Sequence, residues 1–146
     1  MQMLHDPEVR ISIEARVKTL RPDAPRKWGA MTPDQMLWHV NQLLSFALGD
    51  GNCGPQKPSM PLPLLRFFVL NVPWPTGAPT NPNALAKDSY DFEAERGRLL
   101  ELIGHFTSKP LDEPWPVDPS FGAVTGRFAS KLQAKHLDYH LRQFNA

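Results

Sequence analysis

Sixteen prolines run through the 146 residues of this chain, and their placement restricts what it can fold into more than any other feature. A proline locks its own φ, lacks a backbone N–H and drives the residue before it out of the helical region. Regular structure is therefore confined to the stretches that the prolines spare. In those stretches apolar residues recur at three and four positions, and no segment alternates with period two for long enough to make a strand. The pattern predicts an all-α fold with four principal helices. Eight of the sixteen prolines crowd between Cys53 and Asn83, which predicts a long excursion between the second and third of them.

The first helix is predicted in DPEVRISIEARVKTL, where Asp6 can cap, Pro7 suits the first helical position, and Val9, Ile13, Val17 and Leu20 form one face. It should end near Arg21, ahead of Pro22 and Pro25. In MTPDQMLWHV, Thr32 and Gln35 have capping-box spacing around Pro33. The stripe Met36, Leu37, Val40, Leu43, Leu44 and Ala47 follows, and Gly49 and Gly51 punctuate its end. The third helix is predicted in DSYDFEAERGRLLELIGHF, capped by Asp88 or Asp91, with Phe92, Leu99, Leu102, Ile103 and Phe106 inward. Gly97 and Gly104 either weaken it or admit a close neighbour. The last helix, GRFASKLQAKHLDYHLRQF, starts after Thr125. Within the proline-rich excursion, LPLLRFFVLN should form two or three helical turns on the bundle. Its prolines are mixed with Leu, Phe and Trp, so the excursion should pack over a surface or line a site rather than act as a linker.

The length suits one domain, residues 1–146, with a core that needs neither disulfides nor a structural metal. Sixteen Lys and Arg against fifteen Asp and Glu leave no excess charge for a phosphate backbone, which disfavours nucleic-acid binding. Cys53, alone in GDGNCGP, can form neither an internal disulfide nor a CxxC metal knuckle, which fits a reducing cytoplasm. No stretch reads as a signal peptide or a membrane span, so a soluble cytoplasmic protein is expected.

KHLDYHLRQF places His136 and His140 on successive turns of one helix face, along the stripe Phe128, Leu132, His136, His140 and Phe144. Inward histidines need partners for both ring nitrogens, either hydrogen bonds within the core or a shared ion. The spacing resembles the metalloprotease motif HExxH, but Leu137 stands where that motif needs its Glu. A catalytic ion needs about three protein ligands. His39, on the flank of the second helix, is the candidate third ligand; its alternative is a bond to a carbonyl or to solvent. His5, in what reads as a mobile terminus, and His105, near a helix end, are left out of the site.

His39 in MTPDQMLWHV, with His136 and His140 about a hundred residues later in KHLDYHLRQF, resembles the DinB/YfiT-like metalloenzyme superfamily. RPDAPRKWGAMTPDQMLWH, DFEAERGRLLELIGHF, DPSFGAVT and KHLDYHLRQF, in that order, are similar to an uncharacterised subgroup of it, so the resemblance spans nearly the whole chain. It implies an up-down-down-up four-helix bundle with a long crossing between helices two and three, where the proline-rich stretch from Cys53 to Asn83 is placed, and a divalent zinc or nickel ion on His39, His136 and His140 with one side open. The implied substrate is a small molecule, handled by a thiol-dependent S-transferase or isomerase that uses a low-molecular-weight thiol; with water on the open side instead, the same ion would serve a hydrolase. Gln143 matches a polar position that would orient a ligand or bound water. The subgroup's loop His before Pro119 is replaced here by Asp118.

A second reading is a non-catalytic, small-ligand-binding or stress-response bundle with the metal structural or absent, pairing as a homodimer through an apolar face. Trp28, Trp38, Trp74 and Trp115 could wall a pocket or anchor core and loops. Arg142 could meet an anionic substrate or stabilise its helix end, and Asp138 is expected to pair with a neighbouring helix.

Overall fold

The first turn of each long helix carries its own start signal, and the computed structural model, which describes residues 2–51, 53–78 and 80–146, shows how those signals were used. Asn52 of the glycine-containing run and Pro79 of the proline-rich crossing lie outside the described residues. The chain is all-α: five helices occur among the described residues, α1 (Pro7–Thr19), α2 (Pro33–Ala47), α3 (Leu62–Asn71), α4 (Phe92–Ser108) and α5 (Gly126–Gln143), with a 3₁₀ turn at Pro82–Ala84. The four predicted principal helices are α1, α2, α4 and α5. LPLLRFFVLN is α3, packed against α5 as a short addition. No helix among the described residues is long and apolar enough to cross a membrane.

Two of the predicted caps form. Gln35 Oε1 accepts from the Thr32 N–H at 3.0 Å, the Gln half of the capping box, while the Thr32 hydroxyl donates to Asp34 at 2.5 Å. Of the two candidates before α4, Asp91 caps, accepting from the Ala94 N–H at 2.9 Å. Asp6 occupies the cap position of α1 but does not cap it. Its carboxylate is turned back to accept from the Met3 N–H at 2.8 Å, so it ties down the terminus instead.

Side-chain bonds set the helix directions. Gln35 donates to the Asp88 carbonyl, Asn41 to the Glu95 carbonyl and carboxylate, and Arg98 to Ser45, so contacts climb α2 and α4 in the same order. The order reverses between α1 and α4, where Arg96 donates to the Lys18 carbonyl and His5 pairs with the Lys109 carbonyl. It climbs together again between α1 and α5, through Leu4 to Ser130 and Arg16 to Asp138. Because α2 and α4 run the same way, the chain between them has to return along their length. That return is the proline-rich crossing.

One apolar cluster joins the four long helices, drawing Ile13 and Val17 from α1, Met36, Leu37, Val40 and Leu44 from α2, Leu99, Ile103 and Phe106 from α4, and Leu137 and Leu141 from α5. His5 is part of this packing rather than of a mobile terminus. Its ring nitrogens pair with the Ser130 hydroxyl and the Lys109 carbonyl at 2.8 Å each, and its ring lies against Phe106 and Trp115.

Gly97 and Gly104 face open space, so they weaken α4 without admitting a neighbour. The close approach falls at Gly126. A Cβ there would lie 2.4 Å from both the Leu111 carbonyl oxygen and Trp115 Nε1, and 2.9 Å from the Leu111 Cα. Backbone cannot swing aside as a flexible side chain can, so Gly126→Ala is expected to cost about 2 kcal/mol, or about 6 °C in melting temperature. Gly97→Ala and Gly104→Ala should each gain roughly 0.5–1 kcal/mol. Thermal melts of the three variants check the contrast, and a neutral Gly126→Ala would contradict it.

Candidate metal centre

The start of α2 fixes how far along its neighbour His39 lies, and the last three turns of α5 carry His136 and His140 to the same level. The three side chains are buried, at 2, 7 and 7% exposure, and one ligand atom from each lies within 4.8 Å of the others. The ring centroids of His39 lie 5.1 Å from His136 and 4.7 Å from His140, and those two are 4.6 Å apart. The three-histidine group is one that could hold a metal ion.

Hydrogen bonds on the outer side of the rings decide which nitrogens are free. His39 Nδ1 lies 2.7 Å from the Ala84 carbonyl. A carbonyl only accepts, so Nδ1 carries the proton and Nε2 keeps its lone pair. The carbonyl is held there by the 3₁₀ turn, which the Asn81 side chain caps by accepting from the Asn83 N–H at 2.9 Å. His140 is set the same way. Gln143 Nε2 donates to the Trp28 carbonyl at 2.9 Å, which turns Gln143 Oε1 to His140 Nδ1 at 3.0 Å and again leaves Nε2 bare. Gln143 thus orients a histidine; it was expected to orient a ligand or bound water. The Trp28 segment is locked to the end of α5, because the Lys27 N–H donates to the Gln143 carbonyl at 2.7 Å. At Gly29, with φ +76°, a Cβ would lie 2.8 Å from Gln143 Nε2.

His39 Nε2 and His136 Nε2 face one another at 3.2 Å. Two nitrogens bound to one tetrahedral ion at 2.0–2.1 Å stand about 3.3 Å apart, so the pair already has the spacing of a coordination edge. His136 Nδ1 has no hydrogen-bond partner among the described residues. Burial pushes all three imidazoles below the ordinary histidine range: His39 down, His136 well down with His140 and His39 adding repulsion. His140 goes to about 3, where His39 adds to the effect of burial and the Gln143 bond opposes it. At neutral pH the cluster is therefore three uncharged nitrogen donors, the form a divalent cation requires.

A cavity of about 440 Å³ opens on the histidines, lined by Trp28, by Tyr139 and by Trp74 from the crossing. Trp74 lies 5.9 Å from His136 and 5.3 Å from Tyr139, and Tyr139 donates to the Pro75 carbonyl at 2.8 Å. The other two tryptophans are elsewhere: Trp38 stacks on Tyr90 at 4.9 Å, and Trp115 packs on Phe106. Arg142 and Asp138 are paired at 3.0 Å, and Asp138 also binds Arg16 of α1 at 2.9 Å; neither lines the cavity. Asp118 shapes its own loop, accepting from the Ser120 and Phe121 N–H groups at 2.8 and 3.0 Å. His105 is exposed in the last turn of α4.

Ala84, Tyr139 and Asn81 also belong to the site, although no motif or spacing in the sequence marks them. The Asn81-Pro82 pair was the available signal for a turn, but nothing in it shows that the carbonyl it fixes meets His39. Compared with protein-family models, with curated proteins and with solved structures, the chain matches none.

Proposed function

We propose that the chain is a metal-dependent enzyme of DinB-like, up-down-down-up four-helix topology, holding zinc or nickel on His39, His136 and His140. The shared direction of α2 and α4, opposed by α1 and α5, supports the topology. The observation that carries the metal centre is the outward anchoring of two rings. With His39 Nδ1 on the Ala84 carbonyl and His140 Nδ1 on Gln143, their Nε2 lone pairs are left for an ion, a common arrangement around metal-bound histidines.

When bound, a divalent cation on three neutral ligands would keep its full charge and lower the pKa of a thiol or water placed beside it. Around it, Trp28, Trp74 and Tyr139 line the cavity and offer aromatic surface against which a small molecule can pack. A thiol-dependent S-transfer on a small molecule is the activity that the family resemblance adds; the cavity is compatible with a hydrolase as well. The second reading, a non-catalytic bundle, is favoured by the 3.2 Å His39–His136 contact being an adequate hydrogen bond without any ion.

Metal analysis of protein purified without a polyhistidine tag separates the two. One equivalent of a divalent ion, retained by the wild type and lost by His136→Ala, is expected. No stoichiometric metal, with His136→Ala behaving like the wild type, would remove the enzyme reading. Chelation should leave the bundle folded, because the apolar core is complete without the ion; a collapse in thermal stability would instead mark the metal as structural.

A further inference from the structure

His136 is shared between two cavities. Behind it, away from His39 and His140, lies a second space of about 530 Å³, lined by Leu43 and Phe46 of α2, Leu65 and Phe68 of α3, and Leu132 of α5. His136 and Trp74 line this chamber and the histidine cavity alike. A mostly apolar space of this volume with a few polar groups is the usual form of a small-molecule site.

The polar groups are in an unusual state. Gln133, 4% exposed, also lines the chamber, and its Oε1 has no hydrogen-bond partner among the described residues; nor does His136 Nδ1. Buried polar atoms are almost always paired, and two unpaired ones in neighbouring residues that line one cavity are a mark of something that pairs with them. Gln133 and His136 stand three positions apart on α5, hence on the same face one turn apart. Gln133 Oε1 accepts. In the metal-free protein His136 Nε2 donates across the 3.2 Å contact to the bare Nε2 of His39, so His136 Nδ1 accepts as well; when Nε2 turns its lone pair to an ion, Nδ1 carries the proton and donates. A hydroxyl can donate to Gln133 in either state, and a carboxamide N–H₂ can donate to both acceptors of the metal-free protein.

We propose that the chamber binds a small molecule with a hydrocarbon body and a hydroxyl or carboxamide, the body lying between α2, α3 and α5 and the polar group meeting Gln133 and His136. The further claim that this is the substrate's non-reacting part rests on the metal-dependent reading above; binding itself does not.

The first test therefore uses metal-free protein and the n-alkanols from butanol to octanol, followed by NMR titration. Affinity is expected to rise roughly fourfold per methylene, and n-hexanol to bind about fivefold better than its methyl ether, which cannot donate. Leu65→Trp, which fills the chamber, should flatten the chain-length series. Gln133→Leu, which keeps the side chain's volume close to that of Gln, should retain the series but weaken the preference for alcohol over ether, because only the His136 Nδ1 acceptor is left. A flat wild-type series, or one that neither substitution alters, overturns the proposal. On zinc-loaded protein n-hexanethiol should outbind n-hexanol at least about tenfold, and only there; equal binding overturns the link to the metal centre. Failure to bind zinc would count against the metal reading alone, since the alkanol arms contain none.

Discussion

Replacing His136 with alanine is expected to lower zinc affinity by at least about 100-fold. Partners that only orient a metal ligand are typically worth 10- to 100-fold, and a ligand itself is worth more. His136 is one corner of a nearly equilateral triangle of rings, its Nε2 3.2 Å from His39 Nε2 and its centroid 4.6 Å from that of His140, so its loss leaves two donors that cannot close a tetrahedral face. Gln143→Leu provides the graded comparison. All three imidazoles remain, but the acceptor that keeps the His140 proton on Nδ1 is gone, and a loss of roughly 10- to 100-fold is expected. Arg142→Ala, whose guanidinium is engaged by Asp138 outside the cavity, should bind zinc as the wild type does. Competition titrations on untagged protein give the ordering. If His136→Ala, Gln143→Leu and the wild type bind alike, the three histidines are not the ligands.

Metal-free protein should lose about 3 kcal/mol of folding stability between pH 7.5 and pH 5.5 from His136 and His140 together. Both have folded pKa values depressed chiefly by burial, His140 to about 3 and His136 well below the ordinary range. The folded state therefore stays unprotonated while the unfolded state takes up protons below about pH 6.5. Their contribution is complete above that pH and falls as the pH drops, continuing down to the folded pKa. At pH 5.5, one unit below the unfolded value, each histidine costs about 1.4 kcal/mol. Urea denaturation at the two pH values measures it. His136→Asn/His140→Gln should be clearly less pH-dependent over this window, and a wild type whose stability is unchanged from pH 7.5 to 5.5 would contradict the burial of these rings.

What could be read without coordinates was whatever depends on neighbours in sequence. Pro33 with Thr32 and Gln35, Asp91 and Thr125 mark helix starts through bonds that span only a turn, and those starts are found where predicted. Asp6 failed because a short side chain can turn toward either side of itself, and here the Met3 N–H competed successfully with the helix end. Gly97, Gly104 and Gly126 show the same limit. All three lie in helices, yet only Gly126 has a second segment packed on it, and the residues that pack there, Leu111 and Trp115, are more than ten positions away.

The candidate site divides in the same way. Spacing alone put His136 and His140 on one face of one helix, and the cap at Thr32 fixed where along α2 His39 falls. That these levels coincide, and that the outer nitrogens of His39 and His140 each find an amide oxygen, depends on Ala84 and on Trp28 through Gln143, contacts that close 45 and 115 residues of chain. Local chemistry, acting over one helical turn, was written into the sequence: where helices start, which faces are apolar, which imidazoles share a side. The tautomers, the depressed pKa values and the chamber behind His136 were decided only in the folded bundle, because each arises from groups distant in sequence that packing drives out of water together.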